Sequence, residues 1–417
     1  MNAAPVSVVI VSRGRPGLLL RCLTGVGQLC YPAFEVIVVA DPAGVTTVKN
    51  AAWADRTKLV GFDEANISAA RNAGIVQASG EIVAFIDDDA VPEPTWLDHL
   101  VAPFTDPGVA ATGGFVIGRN GISLQWGARG VDVFGRKIAL DHADDAPFEP
   151  VLPEGFVTKT EGTNFAVRRD TLATLGGFDP AFRFFLDETD FNMRLAADGG
   201  RTLLVPRAIV HHGFAASTRR AGDRAPTDLT EIGASSAVFL RKHAPDADMP
   251  GELARIKADQ RRALLRYMVD GGLEPRDIAR RLSELESGFG EGLQRPLAPL
   301  PKLAPPKASF QPQPQPSAVR PSTHVAGRPW QRRRLNAQAS AAVARGEIVT
   351  VFRFSPTALP HRVRFHEGGW WEQRGGLFGR AVRDGPPFRF QSFGTRVTRE
   401  WQRVARLRHC GRNDTNS

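Results

Sequence analysis

Three short apolar runs, rich in β-branched residues and separated by segments of helical spacing, limit the fold of this chain more than any other feature. They are "VSVVIV" (6–11), "FEVIVVAD" (34–41) and "GEIVAFIDDD" (80–89). Strands with so little polar alternation are buried on both faces, as in parallel sheets covered by helices on either side. "LLLRCLTGVGQL" (18–29), "NISAARNAGIVQAS" (66–79, capped at Asn66 or Ser68) and "EPTWLDHLVAPF" (93–104) supply the helices. The alternation predicts right-handed βαβ units and a mostly parallel α/β sheet.

Open sheets of this kind bind ligands at the carboxyl ends of their strands. Three ends here are polar: Ser12-Arg13, Asp41, and Asp87-Asp88-Asp89. They are expected to line one crevice. Adjacent carboxylates repel each other, so three of them at the end of a buried strand call for a counter-charge. A hard divalent cation, Mg²⁺ or Mn²⁺, meets that need, because it takes oxygen ligands and retains waters and substrate phosphates. It would also stabilise a diphosphate leaving group. A solvated acidic turn or a helix N-cap is the plainer alternative.

The 417 residues allow two domains and a sizeable core. The net charge of +9 is uneven: residues 331–417 hold 17 Arg and no Lys against six acids, a net +11, which leaves −2 for the 330 residues before them. Three cysteines, odd in number and widely spaced, argue against a disulfide framework or zinc site and favour a reducing compartment. The amino terminus lacks a signal-peptide pattern, and no run of about 18 apolar residues occurs. The expected location is the cytoplasm. A charged helical stretch covers 216–292, and a proline-rich linker covers 293–330. In 331–417, Arg and apolar residues alternate, which suggests a small β-rich module.

Five ordered motifs in residues 5–215 resemble the family 2 glycosyltransferases of GT-A fold: "VSVVIVSRGRP", "FEVIVVAD", "NISAARNAGIVQASGEIVAFIDDDAVPEPTWL", "EGTNFAVRRDTLATLGGFDPAFRFFLDETDFNMRLAADG" and "VPRAIVHHG". The resemblance implies a Rossmann-like catalytic domain that uses a nucleotide-diphosphate sugar. Asp89, with Asp87, is implied to hold the metal, and His212 to be its third protein ligand. Asp87 would also touch the ribose, with Asp88 beside it pointing elsewhere because side chains alternate along an extended backbone. Asp41 would read the nucleobase, and Arg71 would lie near the base or diphosphate. Ser12 and Arg15 sit in the first loop, which departs from the family's commoner aromatic-Asn-Arg form. Gly162, Thr163 and Asn164 would form the acceptor rim. Trp126, Phe184 and Phe185 are candidates for stacking on sugars. His211 should face away, and Arg219 and Arg220 are rival diphosphate ligands.

Inverting transfer needs one base to take the acceptor proton. "FFLDETDF" offers Asp187, Glu188 and Asp190. The family commonly has Glu-Asp-x-Asp with the second acid as base. Position therefore selects Glu188, with Asp187 the alternative. The expected acceptor is a saccharide or a lipid-linked precursor in bacterial surface polysaccharide synthesis. The Arg-rich tail could hold the enzyme at an anionic membrane. Two other readings stay open: a sugar nucleotidyltransferase, or a non-catalytic protein working through its tail on a partner such as nucleic acid. No nucleic-acid partner is expected for the transferase.

Overall fold

The computed structural model describes residues 3–213, 219–314, 319–383 and 385–410. A nine-stranded sheet forms its centre. β1 (Val6–Ser12), β2 (Phe34–Ala40), β3 (Thr57–Gly61) and β4 (Ile82–Asp87) run parallel, followed by β5 (Ala90–Pro92), β6 (Val109–Ile117) and β7 (Leu124–Trp126). A small sheet of β8 (Arg129–Asp132), β9 (Lys137–Ala139) and β10 (Phe156–Thr158) intervenes before β11 (Phe165–Arg168) and β12 (Arg201–His212). The spatial order is β3-β2-β1-β4-β11-β6-β12-β5, with β7 beside β6. β11 is antiparallel to both its neighbours, so the sheet is mixed but mainly parallel, and the fold is GT-A.

Six helices cover the sheet: α1 (Pro16–Val26), α2 (Pro42–Lys49), α3 (Ile67–Ile75), α4 (Trp96–Val101), α5 (Arg169–Thr174) and α6 (Asp187–Ala197). The period-two rule divides the strand residues between them. Val8, Ile10, Val36, Val38, Ala84 and Ile86 pack under α1, α2 and α4. Val9, Ile37, Val39, Val83 and Phe85 pack under α3, α5 and α6. Ser12 pairs with Ala40, and Val11 with Asp87. The polar strand ends therefore reach the same edge of the sheet.

α7 (Thr230–His243), α8 (Met249–Val269) and α9 (Pro275–Gln294) form the helical extension. The boundary expected at 215/216 falls outside the described residues. α7 and α9 cross at backbone contact: a Cβ on Gly288 would lie 1.9 Å from the Thr230 carbonyl, and one on Gly233 2.0 Å from that of Leu285. Val238 and Phe239 of α7 pack on Val131, Phe182 and Leu186, so the extension shares core with the sheet domain.

The proline-rich stretch is extended, as its prolines require, but it is not a free spacer. Leu303 N–H donates to Ala173 O, Lys307 N–H to Val76 O, and Gln313 N–H to Phe34 O, at 2.8–3.2 Å. Gln311 N–H donates to the fully buried Glu35 carboxylate at 2.8 Å. The residues between the prolines still carry donors, and these anchor the segment as a strap along the domain.

Beyond the strap lies a four-stranded sheet of β13 (Ser322–Gly327), β14 (Ile348–Ser355), β15 (Arg362–Phe365) and β16 (Trp371–Gly376), in the order β13-β14-β16-β15. It begins before residue 331 and carries two helices that the Arg-apolar alternation concealed, α10 (Arg332–Ala344) and α11 (Phe393–Arg408). α10 buries Leu335, Ala339 and Ala342 at helical spacing. Ile348, Val363, Phe365 and Trp371 form one apolar cluster with Val91 of the catalytic domain.

One expectation is corrected. Cys30 and Cys410 form a disulfide across 380 residues of sequence, and only Cys22 is free. Spacing along the chain could not show it, because the two meet only when α11 docks on the catalytic domain. The cysteine argument for a reducing compartment therefore falls.

Candidate active site

β4 ends at Asp87 and β12 at His212, and Asp89 lies in the turn between β4 and β5. Asp87, Asp89 and His212 offer two carboxylate oxygens and an imidazole nitrogen within 4.8 Å of one another. His212 Nε2 is 3.1 Å from Asp89 Oδ1. Burial alone would lower the His212 pKa, but Asp89 outweighs it and raises the value. Two hard oxygens and a borderline nitrogen suit Mg²⁺ or Mn²⁺. Asp87 is the most open of the three, with its side chain 30% exposed. Neighbouring His211 turns the other way, as its register requires, and its Nε2 lies 2.9 Å from Glu93.

Asp88 does not face the crevice. It is fully buried, accepts a hydrogen bond from Ser12 Oγ at 2.7 Å and is gripped by Arg15 at 2.5 Å. Ser12 and Asp88 therefore shape the first loop from beneath, while Arg15 stays partly open and also reaches Asp89 at 3.5 Å. Burial pushes the Asp88 carboxyl up to about 7, against the pull of Arg15. Asp41 lies at the same edge, with both oxygens engaged by backbone. It caps α2 through Gly44 N–H and holds the first loop through Gly14 N–H, each at 2.9 Å. Each carboxylate oxygen has a second lone pair, so contact with a base remains compatible with these bonds.

Arg71, on α3, is 4% exposed and joins three parts of the crevice. It pairs closely with Asp187, lies 3.5 Å from Asp87, and donates to Gly162 O at 3.0 Å. A Cβ on Gly162 would sit 2.7 Å from the guanidinium, which accounts for glycine there. Thr163 Oγ1 accepts from Asp87 N–H at 3.3 Å. Asn164 departs from its expected role on the rim. It is fully buried, accepts from Trp96 Nε1 and donates to Phe115 O and Ala208 O. With both N–H groups committed, it supports the loop from below.

Phe185 and Leu186 precede α6 with φ of 71° and 64°. Two consecutive left-handed non-glycine residues cost about 1–2 kcal/mol each. The turn is held because Leu186 is buried against Phe182 and Met193, and Ser235 Oγ donates to Phe184 O at 2.6 Å. Strain of this kind concentrates at functional sites. Here it delivers Asp187 and Glu188 at the first turn of α6, where the helix dipole favours acids. Asp190 is spent on structure, bonded to His243, Lys242 and Arg194.

Lys159 was not picked out from the sequence. It is buried and donates to Glu188 at 2.7 Å and to Thr160 O at 3.1 Å. Burial would raise Glu188, but Lys159 outweighs it and holds the carboxyl well below its usual range. Burial pushes Asp187 the other way, up to about 7, despite Arg71. The negative charge of the pair is firmest on Glu188. Glu161, the first residue of the expected acceptor rim, pairs closely with Arg129, whose guanidinium lies 5.7 Å from the Trp126 ring centroid. Trp126 is 5.5 Å from His212, so this cluster reaches the metal group. A lone lysine in "FVTKTEGTN" carries no local signal for any of this.

The model of the "Glycosyltransferase like family 2" matches residues 3–224, and the chain belongs to that family. It is 30% identical over 235 residues to the O-antigen biosynthesis protein RfbC of Myxococcus xanthus, spanning 51% of this chain and 18% of the relative. It is 29% identical over 212 residues to the pre-mycofactocin glycosyltransferase of Mycobacterium tuberculosis, spanning 50% of this chain and 42% of the relative. The chain thus spans less than half the length of these two relatives. Among solved structures, the mannosyltransferase PcManGT of Pyrobaculum calidifontis, in complex with GDP-Man and Mn²⁺, superposes with a TM-score of 0.43 at 18% identity, over 70% of this chain and 88% of that one.

Proposed function

We propose that this chain is an inverting glycosyltransferase. On this reading it moves a sugar from a nucleotide-diphosphate donor to a hydroxyl of a saccharide or lipid-linked acceptor, in bacterial surface polysaccharide synthesis. One observation carries the reading: Arg71 ties the Asp87–Asp89–His212 group to the Asp187–Glu188 pair, contacting Asp87 on one side and Asp187 on the other. The name of the Myxococcus relative supports the pathway class.

Asp87, Asp89 and His212 would hold a divalent cation, Mg²⁺ or Mn²⁺. When bound, such an ion supplies charge neutralisation for a departing diphosphate. Asp41 and the first loop, shaped by Ser12, Arg15 and Asp88, form the floor for the nucleotide. Gly162 and Thr163 shape the acceptor side. Glu188 takes the proton of the acceptor hydroxyl as its oxygen attacks the anomeric carbon, and the bond from that carbon to the diphosphate oxygen breaks on the opposite face. Lys159 keeps Glu188 ionised, and Arg71 fixes Asp187 beside it. Residues 331–417 are proposed to rest on an anionic membrane surface, which would place the catalytic domain peripherally at the inner face of the cell membrane. No helix among the described residues is long and apolar enough to cross one.

The test is a panel of nucleotide-diphosphate sugars with Mn²⁺ or Mg²⁺, with release of the nucleoside diphosphate as readout. Turnover of at least one donor, lost in EDTA, is expected. Release of pyrophosphate from a nucleoside triphosphate and a sugar phosphate would instead establish a nucleotidyltransferase.

A further inference from the structure

The C-terminal module treats its arginines in two ways. Arg353, Arg364 and Arg374 converge on Glu372 at 2.5, 2.5 and 3.3 Å. Arg396, Arg399 and Arg403 converge on Glu400, and Arg408 on Glu93. Arg380, Arg383 and Arg389 are different. All three are exposed, and no carboxylate among the described residues pairs with them.

These three arginines stand on the stretch 376–391, which also carries a stack of phenylalanines. The rings of Phe378 and Phe390 are 5.7 Å apart with planes 2° from parallel, and Phe388 lies 5.5 Å from Phe378. The backbone fixes the arrangement: Arg389 N–H donates to Phe378 O at 2.9 Å, and Gly379 bridges to Phe388. Yet Phe388 is 56% exposed and Phe390 85%. Stacked aromatics left in water forgo the gain of burial, and an exposed apolar patch ringed by charge marks an interaction surface.

We propose that Phe388 and Phe390, with Arg380, Arg383 and Arg389, form the surface by which this protein docks on anionic phospholipid. The proposal rests on the reading that the tail meets a membrane, and gives that contact a place. The guanidinium forks take headgroup phosphates. The two rings enter the boundary between headgroups and acyl chains. Charge and apolar insertion together give the two signals that stable peripheral binding needs. The charge balance selects the occupant. The stretch has three Arg and a single acid, Asp384, which lies outside the described residues, within a tail of net +11. A second copy of the chain on the same patch would set arginine against arginine across a twofold axis.

The experiment is co-sedimentation of the full chain with vesicles of phosphatidylcholine, with and without phosphatidylglycerol. Binding only to the phosphatidylglycerol vesicles is expected, weakening with salt. The double variants F388S/F390S and R383Q/R389Q should each bind about tenfold or more weakly, with unchanged melting temperature. R332Q/R333Q/R334Q, which removes exposed charge from α10, should bind nearly as the wild type does. If the wild-type chain ignores phosphatidylglycerol vesicles, both the patch and the membrane reading fail. If it binds them but the patch variants bind equally well, or the α10 variant loses as much, the membrane reading stands and the patch is wrong. Self-association abolished by F388S/F390S, without vesicle binding, would assign the patch to a second copy and overturn the proposal.

Discussion

At the end of β4 and the head of α6 in the catalytic domain, four carboxylates (Asp87, Asp88, Asp89 and Asp187) are held by two arginines, Arg15 and Arg71. In the C-terminal module the ratio is inverted, with Glu372 and Glu400 each holding three arginines. Both regions bury charge, and both pair it, because an unpaired buried charge is prohibitive. They differ in the sign of what is left over. The catalytic edge has negative charge to spend on a cation, and the module has positive charge to spend on an anion. Besides the Cys30–Cys410 bridge and the apolar cluster around Val91, a buried ion pair joins the two regions: Glu93 with Arg408, bonded twice at 2.8 Å. Glu93 also holds His211, the neighbour of the proposed metal ligand His212.

The sharpest way to break this comparison is at the acid pair. Glu188→Gln should lower kcat by about 10²- to 10⁴-fold while leaving donor affinity nearly unchanged. Steady-state rates and equilibrium binding of the nucleoside diphosphate separate the two. If Asp187→Asn shows that loss and Glu188→Gln does not, the base is Asp187.

Cutting the tie between the regions comes next. Arg408 overcomes the burial penalty on Glu93 and lowers its pKa to about 2 from 4.5. A carboxyl depressed on folding stabilises the protein above its unfolded value and loses that contribution as the pH falls through the folded one. Glu93 thus contributes about 3 kcal/mol at neutral pH, fading between about pH 4.5 and 2. Glu93→Gln should destabilise by about 3–5 kcal/mol, because it leaves the buried Arg408 without a counter-charge, although its bond to Thr350 and its contact with Trp371 remain. Its stability, followed by chemical denaturation, should also change less than the wild type's between pH 5 and pH 3. Equal pH slopes in the two proteins would rule out this role for Glu93.

A subtler effect is expected at Lys159. Glu188 must be ionised to accept a proton, so activity falls as the pH drops through its pKa. Lys159 keeps that pKa low. Lys159→Met should therefore move the acidic limb of the kcat profile to higher pH, with activity partly recovered in alkaline buffer. Lys137, Arg71 and Asp187 also act on Glu188 and remain in the variant, as do Glu161 and Arg129, the other charged neighbours of Lys159. An unshifted limb with a uniformly lower rate would make Lys159 a packing residue only.

Legibility followed the range of the interactions. The strands of the sheet and the Asp87–Asp89 cluster were readable because period-two burial and strand-end polarity are local. Asn164 could be located but not oriented, since residue type alone does not say which hydrogen bonds a side chain spends on its own fold. Lys159 with Glu188, Arg129 with Glu161, and Glu93 with Arg408 are separated by 29, 32 and 315 residues. Nothing local announces such pairs. The Cys30–Cys410 bridge escaped notice for the same reason. The proline-rich stretch was expected to be a linker from its composition, and composition could not show that its N–H donors are bound to the catalytic domain.

The central claim is that the crevice binds a nucleoside diphosphate through a cation held by Asp87, Asp89 and His212. Thermal unfolding of the wild type and Asp89→Ala, with UDP, GDP or dTDP, in Mn²⁺ or in EDTA, tests it most directly. At least one nucleotide should raise the melting temperature of the wild type in Mn²⁺, and this rise should vanish in EDTA and in Asp89→Ala. An equal rise in EDTA, or in the variant, would contradict it.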